Sequence, residues 1–228
     1  MTTKVKVGVL AIQGAFIEHV HSLQKAENTL KLKKHDIEVQ IMEIRTSDQL
    51  NDNLNGLIIP GGESTVMKRH FENGFLENLK DWTRLKNKFT WGTCAGLILL
   101  SNQMDGGNSE LQIGGVDITC SRNAYGRQIN SFESPLHLLD SQLQNIAGNN
   151  TCLGIFIRAP KIKSVDSQSV NVLCHLSAAS HENNAVDEPV AVCQENIMVS
   201  TFHPELSGDT CWHEYFILQA AVRKSFQA

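Results

Sequence analysis

Cys94 is the residue whose neighbours most clearly point to chemistry. It stands in Trp91-Gly92-Thr93-Cys94-Ala95-Gly96, followed by the apolar run Leu97 to Leu100. Phe89 to Thr93 reads as a strand, Gly-x-Cys-x-Gly as a tight turn and the residues after it as a helix. This is the nucleophile-elbow pattern, with cysteine where many hydrolases carry serine. The flanking glycines suit a turn whose neighbours must lack side chains. Unpaired N–H groups and the positive end of the helix dipole at such a turn favour thiolate, the reactive form of cysteine. A buried structural cysteine at a strand-to-helix junction fits the same residues, because free cysteine is among the most buried types. The choice depends on partners elsewhere in the chain.

Two distant segments offer such partners. Phe202-His203-Pro204-Glu205 follows an apolar stretch, Ile197 to Phe202, that reads as a strand. If the backbone stays extended, His203 and Glu205 project to the same side, and Pro204 discourages the helix that would part them. Glu205 then orients the imidazole while its other nitrogen faces Cys94, the arrangement of nucleophile, base and orienting acid. A surface His-Pro-Glu turn is the alternative. The second segment is Leu57-Ile58-Ile59-Pro60-Gly61-Gly62-Glu63-Ser64-Thr65. Here a strand enters a Gly-Gly turn at the carboxyl edge of a sheet, where open α/β sheets bind ligands. An N–H of Gly61 or Gly62, with that of Ala95, would complete an oxyanion hole. A generic loop with Ser64 as helix N-cap is also compatible.

The elements that must position these residues alternate. Val5 to Ile12 is a near-continuous apolar run, as in a strand covered on both faces. Phe16 to Leu30 has helical spacing, Ile37 to Ile44 alternates, and Gly56 to Pro60 is a short third strand. Ser64 to about Asn87 reads as helical with a break at Gly74, and the helix after Cys94 is expected to end near Gln103. Strand-helix alternation implies parallel crossovers and a doubly wound sheet. Beyond Gly106, strands are expected at Leu111 to Cys120, Ser131 to Leu139, Cys152 to Ile157, Val170 to Leu176, Pro189 to Gln194 and Ile197 to Phe202. They suggest an antiparallel extension. Ser141 to Asn150 reads as a polar loop and Thr210 to Ser225 as an amphipathic helix. The expected fold is thus α/β, one domain over residues 1–228, with a mostly parallel, doubly wound sheet.

Composition removes several function classes. A net charge of −4, with 19% charged residues among 228, argues against a nucleic-acid partner, and Lys31 to Lys34 is the sole basic cluster. No apolar run approaches the roughly 18 residues of a membrane span, and Met1 to Lys6 leads into a strand without a signal peptide. A soluble, cytoplasmic protein is the expectation. The six cysteines are widely spaced with no C-x-x-C pair, against a disulfide framework or zinc site. His19 and His21 have no matching ligands for a metal. Gly8 to Gly14 does not spell the dinucleotide fingerprint. No cofactor is expected.

Together Pro60-Gly61-Gly62-Glu63-Ser64, Gly92-Thr93-Cys94-Ala95-Gly96 and Phe202-His203-Pro204-Glu205 resemble a class I glutamine amidotransferase, a flavodoxin-like fold. Gly8 to Phe16, Ser121-Arg122-Asn123-Ala124-Tyr125-Gly126-Arg127-Gln128 and Phe156-Ile157-Arg158-Ala159-Pro160 narrow the resemblance to the glutaminase subunits of pyridoxal 5'-phosphate synthases. The likeness runs end to end and departs mainly at Lys25 to Asp36, Asp105 to Glu110, Ser141 to Asn150 and Ser180 to Asp187.

The resemblance implies a glutaminase whose catalytic residues are Cys94, His203 and Glu205. Gly61, Gly62 and Ala95 would form the oxyanion hole; Gly62, Glu63, Ser64, Arg122, Ile157 and Arg158 would line the glutamine pocket. It also implies a partner, the synthase subunit that receives the ammonia in vitamin B6 biosynthesis, with Gln13, Gly14 and the segments around Ala15 and Asn123 as docking elements. Two alternatives share most of these residues: a glutaminase subunit serving another synthase, and a catalytically silent regulatory subunit.

Overall fold

Strand β1 (Thr3–Leu10) is buried on both faces from Val7 onward, as its apolar run requires. Val5, Val7 and Val9 pack with Leu23, Ala26 and Leu30 of α1 (Phe16–Leu32), which the helical period brings into one stripe. Leu10 faces the opposite side of the sheet. The computed structural model describes residues 2–62, 71, 74–107, 112–122, 131–176 and 187–225. After α1 come β2 (Ile37–Ile44), β3 (Gly56–Ile59), α2 (Phe75–Thr83), β4 (Phe89–Thr93) and α3 (Ala95–Leu100). The chain continues through β5 (Ser101–Met104), β6 (Val116–Ser121), β7 (Ser131–Leu138), α4 (Ser141–Ala147) and β8 (Thr151–Ile157). Strands β9 (Lys161–Val165), β10 (Val170–Leu176), β11 (Glu188–Gln194) and β12 (Ile197–Ser200) precede the last helix, α5 (Cys211–Lys224).

The described strands form a large sheet of order β2-β1-β3-β4-β12-β11-β10-β7-β8 and a smaller one of order β5-β6-β9. From β2 to β12 the neighbours are parallel, and from β12 to β8 they are antiparallel. Helices α1, α4 and α5 cover one face, and α2, α3 and the small sheet cover the other. This is the expected α/β class, a doubly wound parallel core with an antiparallel extension. Strand β12 is the hinge of the design. It is last in the sequence but central in the sheet, with Ile197 paired to Thr90 of β4 and Ser200 to Thr93. That pairing carries the end of β12 alongside the end of β4. No helix among the described residues is long and apolar enough to cross a membrane.

Several local expectations need correction. Ser141 to Asn150 is not a loop: α4 starts where Asp140 accepts a hydrogen bond from Leu143 N–H and stops at left-handed Gly148. Helix α3 ends at Leu100 rather than near Gln103, because Ser101 turns to an extended conformation (φ −71°, ψ 144°) and begins β5. The strand expected from Leu111 starts at Val116, after Gly114 and Gly115 with φ of 70° and 126°. Residue 111 itself lies outside the described residues. Strand β12 stops at Ser200, two residues early. Strand β9 was not anticipated. Helix α5 is buried nearly all round from Cys211 to Ile217 instead of amphipathic, since it is wedged against the sheet between α1 and α4. Gly74, expected as a break in a helix from Ser64 to about Asn87, stands at φ 79° as the N-cap of α2, which ends at Thr83; residues 63–70, 72 and 73 lie outside those described.

Candidate active site

The turn after β4 places Cys94 at φ 51° and ψ −105°, a conformation that costs energy for any residue with a Cβ. Its neighbours explain why that conformation persists. A Cβ on Gly92 would stand 2.6 Å from the carbonyl of Gly96, and a Cβ on Gly96 would stand 2.1 Å from the Ile59 carbonyl oxygen. Backbone therefore packs on backbone across β4, α3 and β3, and Cys94 N–H donates to Ser200 O at 2.9 Å. Cys94 is half-buried, whereas Cys120 and Cys174 are buried and burial pushes both of their thiols up.

The chain beyond β12 delivers the second group. His203 N–H donates to Ile155 O of β8 at 2.7 Å, so the last strand of the antiparallel part fixes the backbone. The expected extended path through Pro204 is not what occurs: Pro204–Leu206 is a 3-10 turn. Proline sits at its first residue, where no N–H is needed and the fixed φ suits a helical start. The turn still brings Glu205 Oε1 to 2.8 Å from His203 Nδ1. On its other side the His203 ring is close enough to Cys94 for the thiol to act on its proton affinity. Burial works against charge on His203. The hydrogen bonds and charges of Cys94 and Glu205 more than offset it, and the ring is pushed up to about 10. Burial likewise opposes the Glu205 carboxylate, and the attraction of His19 and His203 prevails, leaving its carboxyl below the usual range.

The Gly-Gly turn closes the front. A Cβ on Gly61 would lie 3.0 Å from both Cys94 Cβ and His203 Cε1, and 3.5 Å from Cys94 Sγ. Gly62 is backed by the Gln13 side chain, 2.5 Å from where its Cβ would be, and Gly14 by the Gly61 carbonyl oxygen at 1.8 Å. Gln13 and Gly14, expected as docking elements, are thus packed against the turn beside Cys94. A thiol, an imidazole held by a carboxylate, and a backbone turn without side chains form a set suited to acyl transfer.

Residues 9–222 match the SNO glutamine amidotransferase family. The chain belongs to that family. It is similar to a probable pyridoxal 5'-phosphate synthase subunit of Dictyostelium discoideum, 39% identical over 93% of this chain and 91% of the relative. A pyridoxal 5'-phosphate synthase subunit of Methanocorpusculum labreanum is 38% identical over 93% of this chain and 96% of its own. Among solved structures, one described as a glutamine amidotransferase superposes with a TM-score of 0.72 at 33% identity, covering 94% of this chain and 98% of the other.

The remaining sequence-predicted residues of this amidotransferase fall into two groups. Ile157 ends β8 and Arg158 follows it at φ 45°, two and three residues past the Ile155 carbonyl that anchors His203; both are exposed. Arg122 is exposed one residue beyond β6, where Ser121 pairs with Lys161 just after the Arg158-Ala159-Pro160 turn. Glu63, Ser64 and the Asn123 segment lie outside the described residues. Sequence reasoning also passed over a group behind Glu205. His19, weighed with His21 only as a metal ligand, is fully buried, while His21 is exposed. It contacts His213 of α5, Thr93 of β4 and Glu205. A polar residue on the apolar stripe of α1 was the available signal, but nothing local named its partners.

Proposed function

We propose that this chain is the glutaminase subunit of a pyridoxal 5'-phosphate synthase, a single domain over residues 1–228 working in the cytoplasm. It hydrolyses L-glutamine to L-glutamate and ammonia, and hands the ammonia to the synthase subunit in vitamin B6 biosynthesis. The observation that carries the chemistry is the convergence of Cys94, His203 and Glu205, with His203 Nδ1 2.8 Å from the carboxylate and the Cys94 and His203 side chains both against Gly61.

Cys94 thiolate attacks the side-chain amide carbon of glutamine, and the oxygen that becomes negative is held by N–H groups of Ala95 and of Gly61 or Gly62. Imidazolium His203 gives its Nε2 proton to the departing nitrogen; the C–N bond breaks, ammonia leaves and a glutamyl thioester remains. Neutral His203 then takes a proton from water as it attacks the thioester, and the C–S bond breaks to release glutamate. Thiolate and imidazolium are restored, so glutamine and water become glutamate and ammonia. Glu205 holds His203 in the tautomer whose Nε2 faces sulfur throughout. Arg122 and Arg158 suit the α-carboxylate of glutamine through paired hydrogen bonds, Glu63 suits the α-ammonium, and Gly62, Ser64 and Ile157 complete the pocket.

The test measures glutamate release with the synthase subunit bound. Cys94→Ala is expected to lower it by at least about 10³-fold. Equal rates would remove Cys94 from the mechanism. Co-purification addresses the partner, and capture of a different ammonia-consuming synthase would overturn that half of the proposal.

A further inference from the structure

His19 projects from α1 into the space between β4, α5 and the turn carrying Glu205, with no exposure to solvent. Its Nε2 stands 3.3 Å from Glu205 Oε2 and 3.3 Å from Thr93 Oγ1. Its Nδ1 stands 3.0 Å from His213 Nε2. Glu205 Oε1 is already taken by His203, and Oε2 makes no hydrogen bond among the described residues, His19 Nε2 at 3.3 Å being the nitrogen that faces it. The chemistry of the facing groups then favours one placement of the protons. A carboxylate only accepts, so the nitrogen beside Oε2 carries hydrogen, and His19 is the Nε2–H tautomer. Its Nδ1 is therefore an acceptor, and His213 must donate from Nε2. The remaining His213 nitrogen, Nδ1, is a lone pair, in accord with its lack of a donor among the described residues. In the assignment this favours, His213 donates to His19, the His19 Nε2–H faces Glu205 Oε2 and Thr93 Oγ1, and His203 donates to the other oxygen of the carboxylate.

The same helix grips the main chain. Ser22, one turn beyond His19, donates from Oγ to the Glu205 carbonyl at 3.4 Å. Lys33, near the other end of α1, pairs with Glu214 of α5 at 2.7 Å, which holds the two helices in register where His19 meets His213.

We propose that His19, with its tautomer set by His213, is a positioning residue for the proposed triad, holding the second oxygen of Glu205 so that the first stays on His203. The proposal rests on the triad reading above. It follows from cost: a carboxylate whose side chain is wholly buried is stable only with both oxygens served, and one served oxygen leaves it free to rotate. A neutral donor serves this purpose without adding a second cation beside His203. Burial, opposed by Glu205, lowers the proton affinity of His19, and burial lowers that of His213 further. The titratable groups facing His19 are Glu18 on its own helix, His213 on α5, and Glu205 and His203 from the turn after β12.

The test compares full-length wild type, His19→Leu, His19→Asn and His19→Gln in two measurements. The first is glutamate release with the synthase subunit bound; the second is the titration of the His203 ring by NMR, which needs no turnover. Glutamine retains an N–H near the Nε2 position, whereas asparagine reaches His213 but falls short of Glu205. For His19→Leu and His19→Asn, kcat is expected to fall by about 10- to 100-fold, as for other groups that orient a first partner, with KM for glutamine within about twofold. The His203 midpoint is expected to drop by ~1 pH unit or more. His19→Gln should recover most of both. If His19→Leu does not fold, His19→Asn carries the same expectation. An unchanged His203 midpoint in a folded His19→Leu or His19→Asn would overturn the proposal, as would a His19→Gln no better than His19→Leu. Failure of the triad reading itself would show separately, as undiminished activity in Cys94→Ala.

Discussion

The front and the back of Cys94 are held in place by opposite means. In front, the Gly61-Gly62 turn, Gly14 and the Gly92/Gly96 pair are positioned by the absence of side chains, with backbone lying where a Cβ on Gly14, Gly92 or Gly96 would collide and the side chains of Cys94, His203 and Gln13 lying against Gly61 and Gly62. Behind, Glu205 is held between His203 and His19, with His213 beyond, by polar contacts in a fully buried interior. The front tolerates no added atom, because neither carbonyl nor strand can give way without breaking a ladder. The back tolerates changes of shape but not of hydrogen-bonding sense. Steric contacts fail abruptly and polar ones by degrees, so substitutions on the two sides should separate stability from catalysis.

The largest effect is expected in front. In Gly96→Ala the new methyl would sit 2.1 Å from the Ile59 carbonyl, between β3 and α3. Overpacking of that kind against backbone should cost about 3 kcal/mol or more, read as a lower urea midpoint. A wild-type midpoint would mean that the approach of β3 to α3 is not rigid, and the contrast would fail. Next comes the back. Glu205→Gln keeps the shape but removes the charge and presents an amide where His19 expects an acceptor. Glutamate release should fall by about 10²-fold or more, and the unfolding midpoint should fall at pH 6, where the His203–Glu205 pair contributes fully, and less above pH 10.

The same variant sharpens the contrast through pH. His203 is raised from 6.5 to about 10, so its contribution to stability is complete below 6.5 and is lost as pH rises through about 10. Glu205 is depressed, so its contribution is present above its ordinary 4.5 and lost as pH falls. Wild type should therefore lose thermal stability between pH 6 and 10, and Glu205→Gln should lose less over that interval. Parallel curves would dissociate the carboxylate from the histidine. The smallest effect is reserved for a glycine remote from the site. Gly148 has φ 73° but nothing within 4 Å of where a Cβ would be. Gly148→Ala should cost only the left-handed strain, about 1 kcal/mol, with activity unchanged.

Much of the front was legible in the chain because its cause is local. Gly-x-Cys-x-Gly states in five residues that a strand must turn sharply and that nothing bulky can flank the turn, and β4, Cys94 and α3 follow that statement. The back was not legible. His19, Thr93, Glu205 and His213 come from four separate elements, and an isolated histidine on a helix stripe carries no mark of what it will face. The errors in the elements have the same origin. Helix α4 was signalled by Asp140 and Gly148, yet its polar surface reads as loop until the packing of Leu143 is known. Helix α5 looks amphipathic until α1 and α4 are placed on either side of it.

What the sequence determined by itself is the order of strands and helices, the sharp turns and the types of the reacting groups, since each depends on residues within a few positions of one another. The tertiary structure decided that β12 lies beside β4. That pairing, between residues more than a hundred positions apart, rests on burying apolar strands on both faces of one sheet rather than on any local motif. It carries His203 to Cys94 and Glu205 to His19, and no shorter-range rule could have placed them there.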